Sequence, residues 1–137
     1  MDLRFPKTKR LRRRADFVRV QGSSARVTTP HFVFLLDAGL PSAPARIGIV
    51  TSKKLGGAVV RNRVKRLCRE AFRAHADWFP AGLDLVVIAR PRAHELGLAD
   101  VVAEWSRVRS SIAKRAAEIA ARAVAASAAS AAQNAQK

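Results

Sequence analysis

Hydrophobic and polar positions change their period several times along the chain, and each change marks an element. Residues 1–11 hold Pro6 and dense charge and predict an extended basic arm. Residues 12–21 predict a short helix with Phe17 and Val20 on one side and Gly22 as its stop. Two strands follow, a weaker one over residues 24–28 and a stronger one over 31–37, where Phe32, Phe34 and Leu36 share the core-facing side by alternation. The turn-rich residues 38–44 predict a hairpin into the next strand, 45–52, in which Gly48 marks a close backbone approach. Past the loop 53–57 a helix is expected over 58–75, then a turn over 78–82. The apolar run inside residues 84–90 predicts a strand buried on both faces and ended by Pro91. Leu98, Val101, Val102, Trp105, Val108 and Ile112 recur at helical spacing. That helix is expected to pass Ile119 and fray into an alanine-rich, disordered tail at 126–137, because alanine favours helix yet offers little area to dock. The order αβββαβα describes one α+β domain at 12–125, between a basic arm at 1–11 and the tail.

The helix at 58–75 has the sharpest pattern. With Arg61 at zero and about 100° per residue, Val60, Val64, Leu67, Cys68, Ala71 and His75 fall in an arc of about 240° to 340°. Arg61, Asn62, Lys65, Arg66, Arg69 and Arg73 occupy about 0° to 140°, and Arg63 lies near 200°. A merely solvated face would intermix acids, but Glu70 is the single acid on this helix. Arg61, Lys65 and Arg69 repel one another at i, i+4 spacing. Before the helix, Gly56 and Gly57 admit a ligand close to the backbone, Lys53 and Lys54 flank it, and the free amides of the first turn suit phosphate. The Walker spacing of a nucleotide-binding loop is absent.

Composition turns that face into a functional argument. The 137 residues carry 26 Lys and Arg against 10 Asp and Glu, a net charge of +16, with a hydrophobic fraction of 49% that suits a folded domain. Such a charge repels itself unless a polyanion neutralises it, which favours nucleic acid and makes an anionic membrane the second choice. Residues 1–20 and 53–73 each hold eight bases, and Arg107, Arg109, Lys114, Arg115 and Arg122 form a looser third group. The lone Cys68 excludes an internal disulfide and lies in the apolar arc, as a packed thiol would. His31, His75 and His94 lack ligand spacing, and the dispersed acids show no local pair set to hold two metals. No apolar run has the length of a membrane span, and residues 1–6 lack the apolar stretch of a secretory signal. A cytoplasmic protein is expected. No helix-turn-helix or zinc signature points to DNA.

Residues 46–66, RIGIVTSKKLGGAVVRNRVKR, continued by LCREAF to residue 72, closely resemble the protein component of bacterial ribonuclease P. Arg61-Asn62-Arg63 sits where that family has its RNR signature, and the likeness extends through Asp16-Phe17, HFVFLLD and DLVVIAR over residues 10–111. The resemblance implies a four-stranded sheet packed by helices, similar to the second domain of a small-subunit ribosomal protein, with a left-handed βαβ crossover where right-handed is the default. It implies a protein subunit that binds a catalytic RNA and the 5′ leader of precursor tRNA and promotes 5′ maturation. The RNA would carry the hydrolysis with Mg²⁺, leaving no catalytic or metal-binding residue on the protein. Lys53, Lys54, Arg61, Asn62, Arg63, Lys65, Arg66 and Arg69 would contact the catalytic RNA, and Phe17, Val33, Leu35 and Arg90 the leader. Gln21 and Leu35 stand where relatives often carry aromatic residues, so shape and charge take a larger share of leader binding. The expected partners are the catalytic RNA and precursor tRNA, without membrane, DNA or a required protein oligomer. A ribosomal or other structural RNA-binding protein is the alternative.

Overall fold

A computed structural model describes the backbone of residues 9–135 and the side chains of residues 9–129. Helix α1 (Arg14–Gln21) leads into strands β1 (Ala25–Thr28), β2 (Phe32–Ala38) and β3 (Arg46–Val50). Helix α2 (Ala58–Ala74), strand β4 (Leu83–Ala89) and helices α3 (Leu98–Ser106) and α4 (Arg109–Ala135) complete the fold. The mixed sheet has the order β1-β2-β4-β3, with β3 and β4 parallel and the other neighbours antiparallel.

The order corrects one expectation. Residues 38–44 do not close a hairpin, because β4 lies between β2 and β3 and pairs with both. The apolar run of β4 is the reason: a strand buried on both faces takes a central place, and β3 is left at the edge. That edge is extended by the end of the basic arm. Arg10 bridges to Ile47, and the Leu11 N–H donates to the Ile47 carbonyl at 3.0 Å. The rest of the expected arm, residues 1–8, lies outside the described residues.

Alternation divides the sheet into two faces. Phe32, Phe34, Leu36, Ile47, Leu85 and Val87 face the larger core, which α2, α3 and α4 close. Trp105 is fully buried there, edge-on to Phe34 at 5.1 Å and Phe32 at 5.8 Å between ring centres. The expected single C-terminal helix is two. Ser106 Oγ donates to the Ala103 carbonyl, and the Val108 N–H bonds to Trp105 three residues back, which breaks the ladder and re-aims Ile112, Ala116 and Ile119 at the core. Helix α4 then runs on to Ala135 past the expected fraying point at residue 126, carried by alanine propensity, with residues 120–129 exposed.

Candidate nucleic-acid interface

The second face of the sheet is built in three cross-strand rows. Asp37, Asp84 and Arg46 align at one end, Arg26, Leu35, Val86 and Gly48 in the middle, and Thr28, Val33, Ile88 and Val50 at the other. Helix α1 covers the middle row. Its own Val20 is buried against the sheet in one cluster with Leu11, Leu35 and Val86, and its half-buried Phe17 lies over Gly48. A Cβ on residue 48 would stand 2.5 Å from the Phe17 ring, so this strand position has to be glycine for the ring to rest there.

Buried charge fastens the helix at its polar end. Asp84 is 1% exposed and accepts a bidentate pair from Arg46, Nε at 2.8 Å and Nη2 at 2.7 Å. Arg19 reaches the same carboxylate at 2.6 Å and also Asp37 at 2.9 Å, with Asp16 at 3.4 Å. For Arg19, burial lowers the guanidinium pKa, but the carboxylates around it raise the balance above the ordinary value. Three of the ten acids are thereby paired with arginine, Asp84 in the interior and Asp16 and Asp37 at partly exposed positions.

At the opposite end the sheet is only half covered. Val33, Val50 and Ile88 are half-buried, Thr28 and Arg90 are exposed, as is Arg26 at the β1 edge of the middle row, and Arg90 donates from Nη1 to the Thr29 carbonyl at 3.0 Å. Of the expected leader contacts, Phe17, Val33 and Arg90 lie on or beside this surface. Leu35 does not: at 2% exposure it is support beneath α1, one row too far in. Val50, Ile88 and Thr28 share this row and were not among the expected contacts, because only the register between strands reveals a row.

Both parallel strands finish at this open end, and β3 passes from there through a single turn of 3₁₀-helix, Lys53–Leu55, into α2. Leu55 is buried and anchors the turn, while Lys53 and Lys54 are exposed. Gly56 has φ +150°, which disfavours a side chain, and Gly57 caps α2 with no side-chain oxygen for the first amides. Along α2, Asn62, Arg63, Arg66 and Arg73 are exposed and Arg61, Lys65 and Arg69 half-buried; the Arg61 Nε is buried with no hydrogen-bond partner among the described residues. Burial, with Arg10 nearby, lowers the Arg69 pKa. Arg63 stands apart from the cationic face: its two Nη groups donate to the carbonyls of His94 and Leu96 at 2.8 and 3.0 Å, tying α2 to the turn before α3. Phe72, at about 20° on the wheel, is drawn into the core against Phe79 at 4.9 Å. Two features escaped the sequence reading: Val59, 84% exposed on the first turn of α2, and a concavity of about 690 Å³ where Arg10, Arg12, Arg13 and Arg46 surround Asp16.

Burial pushes the Cys68 thiol up to about 12, so it packs as a neutral group. Among the described residues no three His, Cys, Asp or Glu side chains gather to hold a metal ion, and the acids that do converge are engaged by Arg19 and Arg46. Among the described residues no helix is long and apolar enough to cross a membrane.

Fold and site together define a small α+β domain for binding polyanions, with one cationic helix face and one half-covered sheet face. A family model described as Ribonuclease P matches residues 5–127. The ribonuclease P protein component of Desulfovibrio desulfuricans is 43% identical over 95 residues, 69% of this chain and 73% of that protein. The same component of Syntrophus aciditrophicus is 37% identical over 74% of this chain and 85% of its own. Among solved structures, the Staphylococcus aureus RNase P protein matches with TM-score 0.66 and 33% identity, covering 74% of this chain and 93% of that one. The Thermotoga maritima protein gives 0.65 and 32%, over 72% and 93%. The chain belongs to the ribonuclease P protein family, whose role is RNA binding and the 5′ maturation of tRNA within a ribonucleoprotein endonuclease. Its partners are accordingly that enzyme's RNA and its tRNA substrate.

Proposed function

We propose that the two surfaces divide the RNA between them. Lys53, Lys54, Arg61, Asn62, Lys65, Arg66 and Arg69 hold the catalytic RNA, while Phe17, Val33 and Arg90, joined by Val50 and Ile88, receive the single-stranded 5′ leader of precursor tRNA. Arg63 serves this interface mainly by fixing α2 against the turn at His94–Leu96. The observation that carries this reading is topological: the nearly acid-free N-terminal half of α2 and the uncovered row of the sheet meet at one end of the parallel strands. Guanidinium groups fork onto phosphates along the helix, and half-buried apolar side chains beside Arg90 accept unpaired bases without reading their sequence. Hydrolysis belongs to the RNA, with Mg²⁺ held there. The protein acts in the cytoplasm, without a protein oligomer, a DNA partner or a membrane.

Reconstitution tests the division. Protein alone is expected to leave labelled precursor tRNA intact and, with a cognate RNA, to restore cleavage at low Mg²⁺. Arg61→Ala with Arg66→Ala should flatten the salt dependence of catalytic-RNA binding by about one to two units of log–log slope. Robust cleavage by RNA-free protein, or an unchanged slope, would overturn the respective half.

A further inference from the structure

Glu104 belongs to α3 on the closed face of the sheet, is 8% exposed, and directs both carboxylate oxygens at the three-residue turn between β1 and β2. Its Oε2 accepts from Thr29 Oγ1 at 2.6 Å and from the His31 N–H at 2.9 Å, and its Oε1 lies 2.7 Å from His31 Nδ1. The same two turn residues hold Arg90 from the other side: the Thr29 carbonyl accepts from Arg90 Nη1 at 3.0 Å, and the His31 carbonyl from the Arg90 N–H at 2.8 Å. A continuous hydrogen-bonded chain thus runs from a buried carboxylate, through one turn, to an exposed guanidinium at the mouth of the open row.

We infer that Glu104 is a positioning residue for leader binding, holding the Thr29–His31 turn so that Arg90 is pre-aimed at the leader. This rests on the reading of Arg90 as a leader contact. The geometry favours it over simple docking of α3, because all three of these bonds go to the element that carries the Arg90 acceptors. A buried carboxylate has to be hydrogen-bonded at both oxygens to be tolerated, and the turn is the group it thereby fixes. An arginine held by one of its N–H groups loses less freedom when the rest of the fork meets a phosphate. Glutamine at 104 keeps the volume but turns one acceptor into a donor facing Thr29 or His31.

The test is a double-mutant cycle on the reconstituted holoenzyme, comparing affinity for precursor tRNA with a long leader and with a single-nucleotide leader. Glu104→Gln is expected to lower the preference for the long leader about fivefold, the scale of ordering one long side chain in advance. Affinity for the catalytic RNA should be unchanged. In an Arg90→Ala background Glu104→Gln should have no further effect. His31→Ala, which removes the ring Nδ1 partner of Glu104 while keeping the backbone N–H and leaving α3 unaltered, should give a smaller loss in the same direction and serves if Glu104→Gln folds poorly. Additive losses, or an Arg90→Ala loss with no effect from Glu104→Gln and His31→Ala, would overturn the inference alone. An unchanged leader preference in Arg90→Ala would overturn the assignment of Arg90 and the inference with it.

Discussion

The two faces of the sheet are finished to different degrees. On one, α2, α3 and α4 close over an aromatic centre in which Trp105, Phe32 and Phe34 are fully buried. On the other, the eight residues of α1 cover the middle row, Asp84 and its arginines seal one end, and Val33, Val50 and Ile88 at the other remain half-exposed. Apolar surface that a folded domain would bury if it could is left in reach of solvent beside Arg26 and Arg90. The closed face holds most of the buried core, and in the proposed division the unfinished one is the surface for a ligand with apolar bases and charged phosphates.

Substitution can break that division. Trp105→Ala is expected to cost about 3–5 kcal/mol, a large part of the roughly 5–15 kcal/mol that holds a domain together. Binding of catalytic RNA and of leader should fail together as the protein unfolds. Ile88→Ala removes a half-buried side chain and should cost only about 1–2 kcal/mol. It should weaken affinity for leader-bearing substrate and spare the catalytic RNA. Denaturant unfolding alongside the two binding measurements decides it, and equal destabilisation by both changes would show that the second face is also a load-carrying core.

The closed face was largely legible in the sequence. Alternation assigned Phe32, Phe34 and Leu36 to it, and helical spacing assigned Trp105 and Ile112, because burial imposes a period on the side chains that pack there. The cationic face of α2 was legible for the same reason in reverse. The open row was not, since Val33, Ile88 and Val50 come from three strands and become neighbours only when β4 enters between β2 and β3. Leu35 differs from Val33 by one step of the same alternation, so nothing local distinguishes the residue beneath α1 from the one beyond it. The ion cluster was equally hidden, as Asp16, Arg19, Asp37, Arg46 and Asp84 converge from four elements.

A smaller perturbation sharpens the contrast from inside the second face. Gly48→Ala places a Cβ 2.5 Å from two atoms of the Phe17 ring, and the ring or the whole of α1 has to shift. Overpacking of this kind costs about 1–3 kcal/mol. Leader affinity should fall while the salt dependence of catalytic-RNA binding stays as it was, because α2 does not contribute to this packing. Phe17→Leu added to Gly48→Ala should recover part of the lost stability. Failure to recover any would mean that the ring contact is not what glycine protects.

The smallest expected effect concerns a link between the two faces, the carboxylate of Glu104. Burial raises its pKa, but the hydrogen bonds from Thr29 and His31 outweigh that and hold it below its ordinary value of 4.5. In the folded protein Glu104 therefore stays ionised to lower pH than in the unfolded chain. Between the two pKa values the unfolded state binds more protons, so stability rises with pH across that window. The contribution is fully present above pH 4.5 and is lost as pH falls through the folded value. The difference in unfolding free energy between the native chain and Glu104→Gln should accordingly be largest near neutrality and narrow below pH 4.5, with the other carboxylates cancelling because both proteins carry them. A difference that stays constant through the acid range would mean that the Thr29–His31 turn is held as well by a neutral side chain, and that the closed face does not reach through this charge to the open one.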